Sequence, residues 1–263
     1  MKKVIYLFFI LVFVATLSSC TTDIDDTIQV KLVQKIIEVN QDNTSSTFNF
    51  TYDGNKISSI ESGESLKSYQ YTGNFITQIT EVNKITLTQS TLDYSYTDGL
   101  LTKVISSDNY TLNYTHQTNG SIDLEKTTTD SNNNIVLVWN GKLVLNTNYN
   151  VIENNKTQET SNPNTITKEE LNFVYDTKSN PLRNIVGFDK LLDHSNMISK
   201  NNVTSIFKTN STTFVDLGSY ISSLVQTTKN YSYDKEGYPK EVFSTKPVFG
   251  NENQNHLKTL YFY

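Results

Sequence analysis

Residues 231–239 read YSYDKEGYP, and three other stretches repeat the pattern: FVYDTKSNP from 173, FTYDGNKIS from 50 and YSYTDGLLT from 94. Side chains two apart on a β-strand share a face. Tyr231 and Tyr233 therefore pair on one face, as do Phe173 and Tyr175, Phe50 and Tyr52, Tyr69 and Tyr71, and Tyr94 and Tyr96. Aromatic residues favour the pleated, half-buried surface of a sheet. Each pair runs into turn chemistry: Asp234 to Gly237, Asp53-Gly54, Gly73-Asn74, Asp98-Gly99 and Asn180-Pro181. An apolar residue and another three on then follow: Ile57 and Ile60, Ile76 and Ile79, Leu101 and Val104, Leu182 and Ile185. Each unit reads as strand, tight turn, strand.

Six such units start near 50, 69, 94, 112, 173 and 231, and a seventh hairpin is expected around Val138-Trp139-Asn140-Gly141-Lys142-Leu143. A hairpin cannot bury its face alone, so the units are expected to lie side by side. The pattern predicts a mostly β protein, an antiparallel meander of repeated hairpins with a short helix-and-loop insertion. A β-sandwich is the alternative, because short strands at regular spacing also suit it. Residues 186–228 break the rhythm, with short helices expected at Phe188–Leu192 and Val215–Leu224. A capping segment over an exposed sheet edge is the favoured role for that insertion.

Tyr231, Tyr233, Asp234 and Gly237, followed by Val242, resemble the YD repeat of RHS-type proteins. Phe173, Tyr175 and Asp176 with Asn180-Pro181-Leu182 and Ile185 are similar, closer to small surface lipoproteins with degenerate YD-like hairpins. Tyr52 with Asp53, Tyr71 and Tyr96 carry weaker copies. Most copies lack the Asp, the Gly or both. The resemblance implies hairpins and no catalytic residue.

The chain opens MKKVIYLFFILVFVATLSSC. Lys2 and Lys3 precede an apolar run from Val4 to Leu17. That run is too short for the roughly 20 residues of a membrane-spanning helix and suits a signal peptide. Leu17, Ser18, Ser19 and Cys20 resemble a bacterial lipobox. That resemblance implies removal of residues 1–19 and a lipid on Cys20, the one cysteine of the chain. Thr21 in the next position looks like passage to the outer membrane, and Asp23, Asp25 and Asp26 make residues 20–30 an acidic tether. Surface display is expected, with a periplasm-facing orientation as the alternative. Asp26-Thr27-Ile28 resembles a three-residue O-glycosylation motif, with Thr27 as acceptor. Residues 31–263 are expected to form one domain, and no disulfide can tie it within the chain.

Loss of Lys2 and Lys3 leaves 20 of the 22 basic residues against 27 acidic ones, a net charge of −7. That balance argues against nucleic acid as a partner. Ser, Thr and Asn make up about a third of the chain, yet 11% of residues are aromatic and apolar residues alternate, as in a folded β protein.

Catalytic signals are sparse. His116, His194 and His256 are too far apart in sequence for a zinc motif, and no metal or cofactor is expected. Asp130 to Asn134 starts like a calcium loop but has Ile135 where Gly is needed and Gly141 where Glu is needed. Ser205 to Lys208 spells S-x-x-K and Ser107-Asp108-Asn109 spells S-D-N, in reversed order and without K-T-G. Glu169-Glu170 reads as a solvated strand start. The expected function is non-catalytic binding at the cell envelope, of a glycan or a protein, with Trp139 a candidate stacking platform. A structural or assembly component is the alternative, and a hydrolase ranks third. A binder predicts aromatics on an exposed face, a scaffold predicts a bare sheet edge, and an enzyme predicts a pocket where carboxylates or a His converge.

Overall fold

The computed structural model describes residues 30–159, 164–195, 197–248 and 251–263. The chain divides into two units, Met1–Val30 and a compact unit, Lys31–Tyr263. The expected signal peptide, the lipobox-like residues Leu17, Ser18, Ser19 and Cys20, and the expected acceptor Thr27 lie outside the described residues. Among the described residues, no helix is long and apolar enough to cross a membrane.

The compact unit holds sixteen strands: β1 Lys35–Val39, β2 Ser45–Asp53, β3 Lys56–Glu61, β4 Ser65–Thr72, β5 Phe75–Asn83, β6 Gln89–Thr97, β7 Leu100–Ser106, β8 Tyr110–His116, β9 Ser121–Thr129, β10 Ile135–Leu145, β11 Val151–Glu159, β12 Thr165–Ser179, β13 Asn201–Phe214, β14 Ser219–Tyr233, β15 Pro239–Val248 and β16 Asn251–Phe262. Each pairs antiparallel with its sequence neighbour, and β1 pairs with β16 from Lys35 opposite Phe262 to Val39 opposite Lys258. The sheet is a closed barrel, and this corrects the expected open meander and its β-sandwich alternative. A period-two pattern fits any of the three. Closure is favoured because it removes the unpaired N–H and C=O groups of two sheet edges. It also removes the bare edge that a scaffold docking through its sheet would need. Among the described residues, all strands and the whole buried core lie within Lys31–Tyr263, so this unit has what it needs to fold without residues 1–30.

The three-residue apolar spacing is a β-bulge. Phe50 faces Ile60 and Tyr52 faces Ile57; Tyr69 faces Ile79 and Tyr71 faces Ile76; Tyr94 faces Val104 and Tyr96 faces Leu101. The register shifts within each pairing, so that two residues oppose one and residues three apart return to the same face. The 173 unit obeys the same rule with a different partner. Phe173 faces Ile206 and Tyr175 faces Val203 across a shift, so Leu182 and Ile185 are not its second strand. Pro239 and Val242 complete the 231 unit, and a bulge tolerates a proline that has no N–H to give a ladder.

Three further expectations are corrected. The break in the repeat is 180–200 and not 186–228, because Asn201–Phe214 and Ser219–Tyr233 are full strands. Phe188–Lys190 and Leu192–His194 are single 3-10 turns, and only Val215–Leu217 of the second expected helix is helical, again as one 3-10 turn. The seventh hairpin is not at 138–143, which lies inside β10. The turn comes at Asn146, whose side-chain oxygen accepts from the amides of Asn148 (2.9 Å) and Asn150 (3.1 Å).

Over much of its length the wall is apolar inside and polar outside. β6 turns Leu92, Tyr94 and Tyr96 inward and shows Asp93, Ser95 and Thr97 to solvent; β9 turns Ile122 and Leu124 inward and shows Asp123 and Glu125. A membrane-spanning barrel has the opposite arrangement, with an apolar outer band about 25 Å tall. Two outward aromatic rings, Phe262 and Phe243, are roofed by the ammonium groups of Lys35 (4.3 Å) and Lys258 (5.3 Å).

Candidate ligand sites in the barrel interior

One end of the barrel is plugged. Between β12 and β13 the chain turns inward from Asn180 to Lys200, with the Asn180 amide on the Lys200 carbonyl (2.9 Å) pinching its base. Leu182, Ile185, Phe188, Leu191, Leu192 and Ile198 are buried against the inner wall. The Val186 amide bonds the Asn55 carbonyl at 3.0 Å, Ser195 Oγ accepts from Asn154 Nδ2 at 2.8 Å, and Ser199 Oγ donates to Tyr175 Oη at 2.9 Å. Both ends of the compact unit meet at this plugged end. Lys31 pairs with Asp234 and Glu236 (2.8 Å), and its carbonyl accepts from Asn184 of the plug at 2.8 Å. Burial works against the Lys31 charge, but the bonds from Asp234 and Glu236 outweigh it and raise its pKa.

The repeated tyrosines serve the neighbouring hairpin. Tyr52 Oη donates to the Val33 carbonyl (2.6 Å), Tyr96 to Ile76 (2.8 Å), Tyr175 to Val151 (2.5 Å), and Tyr263 to Pro239 (3.0 Å). Tyr71 accepts from the Ile57 amide (3.2 Å) and donates to the plug carbonyl of Val186 (3.1 Å). In β14 the first tyrosine takes this part: Tyr231 reaches the Val203 carbonyl at 3.0 Å, and Tyr233 donates to Asp176. Val33 lies just before β1, and the other wall targets, Ile57, Ile76, Val151, Val203 and Pro239, lie where the chain re-enters the sheet and a bulge breaks the ladder. The hydroxyls supply partners to backbone groups that burial would otherwise strand. Asp234 Oδ1 accepts from the amides of Glu236 and Tyr238 (both 2.9 Å), and Gly237 has φ +83°, which shapes the turn. Asp176 Oδ1 likewise accepts from Lys178 (2.9 Å) and Asn202 (3.1 Å). Asp53 is exposed at its turn.

The histidines build no catalytic group. His116 Nε2 lies 2.8 Å from the Leu101 carbonyl, in the place a tyrosine takes elsewhere. His194 Nδ1 is 3.1 Å from Asp193 Oδ1, and Tyr94 donates to Asp193 Oδ2 at 2.8 Å. Burial first, and the Asp193 charge second, push the Tyr94 and Tyr114 hydroxyls well above their ordinary value. Asp193 thereby holds the plug against β6. The side chain of His256 lies outside the described residues. Among the described residues, no three His, Cys, Asp or Glu side chains gather as metal ligands.

Towards the other end the inner wall becomes polar. Trp139 projects inward from β10 and packs its lower edge on the core. Lys126 stands directly opposite it on β9, with its ammonium 3.9 Å from the Tyr110 ring centroid. Lys156 on β11 lies 5.2 Å over the Trp139 ring and 3.8 Å from Glu169, which also pairs with Lys208. Glu169 is therefore a lumen residue held by two lysines, and Glu170 pairs with Lys168 on the outer face at 2.5 Å. A hollow of about 320 Å³ opens beside Trp139, Lys156, Glu169 and Asn210. Sequence reading singled out Trp139 but missed the lysines, which share no local motif. The repeat tyrosines face inward and are spent on the wall, so they offer no exposed stacking face.

No protein-family model matches the chain, and no curated protein matches it. Among solved structures, a porin-like protein from Bacteroides uniformis ATCC 8492 is similar, at 11% identity over 88% of this chain and 97% of that one, with a TM-score of 0.35. A likeness this slight carries no argument about function.

Proposed function

We propose that the protein is a lipid-anchored component of the cell envelope that binds an acidic glycan, without catalysis, in the open mouth of its barrel. The observation that carries this reading is the inward Trp139 bordered by Lys126 and Lys156, with Glu169 linking Lys156 to Lys208. An indole face suits the apolar face of a sugar ring, and lysines confined in a polar lumen suit a uronate or sulfate. Ligand would displace Lys156 from the ring and exchange one weak cation–π contact for a charged hydrogen bond.

Trp139 is the one tryptophan of the chain, so its fluorescence reports on this mouth alone. Titration of the compact unit with uronic and sulfated oligosaccharides is expected to shift that emission, and neutral ones are not. Lys156→Gln is expected to weaken binding about tenfold, the equivalent of ~1.4 kcal/mol. Emission indifferent to every acidic oligosaccharide sinks the reading.

The anchor rests on the Cys20 lipobox. One acyl chain binds only marginally and several anchor stably. Cys20→Ala is expected to move the protein from the membrane to the soluble fraction. Protease added to intact cells is expected to cleave the wild type while a periplasmic control survives. Survival of both proteins would reverse the orientation, and membrane retention of Cys20→Ala would remove the anchor.

A further inference from the structure

We propose a second binding site at the plugged end, distinct from the Trp139 mouth, that takes a small amphipathic anion. It lies where the tyrosine ring lapses. Around the barrel the second inward position of each hairpin is Tyr52, Tyr71, Tyr96, Tyr175 or Tyr233 in five cases and His116 or Leu145 in the other two, and Tyr263 takes the same part at the β16–β1 seam. Those two hairpins are neighbours, β8–β9 and β10–β11. Between their turns and the plug lies a cleft of about 510 Å³. His116 is shorter than a tyrosine, though it still reaches the Leu101 carbonyl. Leu145 has no ring and no hydroxyl, and nothing from β10 takes the place that Tyr175 or Tyr96 fills elsewhere.

The cleft has a chemistry of its own. Its floor is apolar and buried: Leu101 and Ile122 from the wall, Leu192 and Ile198 from the plug. Its lips are apolar and wet, with Leu100 45% and Tyr149 61% exposed. Tyr149 is held there by a left-handed backbone, φ +59°. Two cations stand at the rim. Lys190 is matched by Asp189 at 3.3 Å. Lys200 has no ion-pair partner among the described residues; its ammonium rests 4.7 Å over the Tyr149 ring. An apolar trough with one uncompensated ammonium at its edge selects a ligand with an apolar body and one anionic end. Its volume falls within the range of small-ligand sites.

The test uses Lys31–Tyr263 and two fluorescent probes, anionic 1-anilinonaphthalene-8-sulfonate and neutral N-phenyl-1-naphthylamine. Both are expected to bind saturably at one site. Leu145→Tyr restores the ring and fills the trough, and is expected to weaken both probes at least about tenfold. Lys200→Gln is expected to weaken the anionic probe about fivefold and to leave the neutral one unchanged. Trp139→Phe is expected to change neither. A folded Leu145→Tyr protein that binds both probes like the wild type overturns the proposal. Should that variant fail to fold, equal loss or equal retention of the two probes in Lys200→Gln overturns the anionic specificity. Loss of both in Trp139→Phe places the dye in the mouth and overturns the site.

Discussion

Replacing Gly187 with alanine is expected to cost the barrel about 3 kcal/mol, and the same change at Gly120 about 1 kcal/mol. Both glycines have positive φ, +74° and +82°. A side chain at either must therefore adopt the left-handed region. Only Gly187 adds a collision. A Cβ there would lie 2.6 Å from the Asn74 carbonyl oxygen and 3.3 Å from the Ile76 amide nitrogen, both backbone atoms of the β4–β5 hairpin. A Cβ at Gly120 meets nothing within 4 Å. Relief at Gly187 requires either the hairpin or the plug to move, and the plug carries Phe188 as the next buried residue. Guanidinium unfolding with linear extrapolation measures both variants. Near-ultraviolet circular dichroism should change only for Gly187→Ala, because only that variant loosens the aromatic packing around the plug. Stabilities of the two variants within about 0.5 kcal/mol of each other would mean that the plug is not seated on this contact.

The hairpins were legible because their signal is local. Tyr94-x-Tyr96, Asp98-Gly99 and Leu101 lie within eight residues and determine one another's geometry. What escaped was non-local. Leu182 and Ile185 have the spacing of a bulge pair and follow a turn signal, yet the true partners of Phe173 and Tyr175 are Ile206 and Val203, beyond the whole plug. Asn140-Gly141 has hairpin chemistry, but Gly141 sits mid-strand because the Asn155 carbonyl comes within 2.3 Å of where its Cβ would be. Closure joins Ile36 to Tyr261, at opposite ends of the compact unit, and no window along the chain can show that pairing. The ligand sites divide in the same way. Trp139 could be picked out by its chemistry alone. Lys126, Lys156 and Lys208 sit on three separate strands and become neighbours only through register. The plugged-end cleft is visible only as two missing tyrosines, once the ring they belong to is known.

That ring also governs behaviour in alkali. Burial, the largest cause in every case, pushes eleven of the sixteen tyrosine hydroxyls above their ordinary value near 10. Tyr71 rises to about 12 although the Ile57 amide bond pulls it down, and Tyr175 rises to about 12 although Ser199 does the same. A group whose pKa is raised by folding contributes stability that is fully present below its unfolded value and lost as pH climbs through its folded value. The unfolded chain can ionise these tyrosines from about pH 10, while the folded barrel holds them neutral as donors to Val33, Ile76, Val151 and Pro239. Each hydroxyl held back adds to the drive to unfold, so the losses accumulate above pH 10 and precede ionisation of the intact ring. Tyrosinate absorbance at 295 nm and far-ultraviolet ellipticity are therefore expected to change together, in one transition above pH 10 that is steeper than a one-proton curve. If most of the absorbance instead appears near pH 10 while the ellipticity holds, the hydroxyls are not what satisfies the backbone where each hairpin re-enters the sheet. The bulges would then have to be held by strand pairing alone.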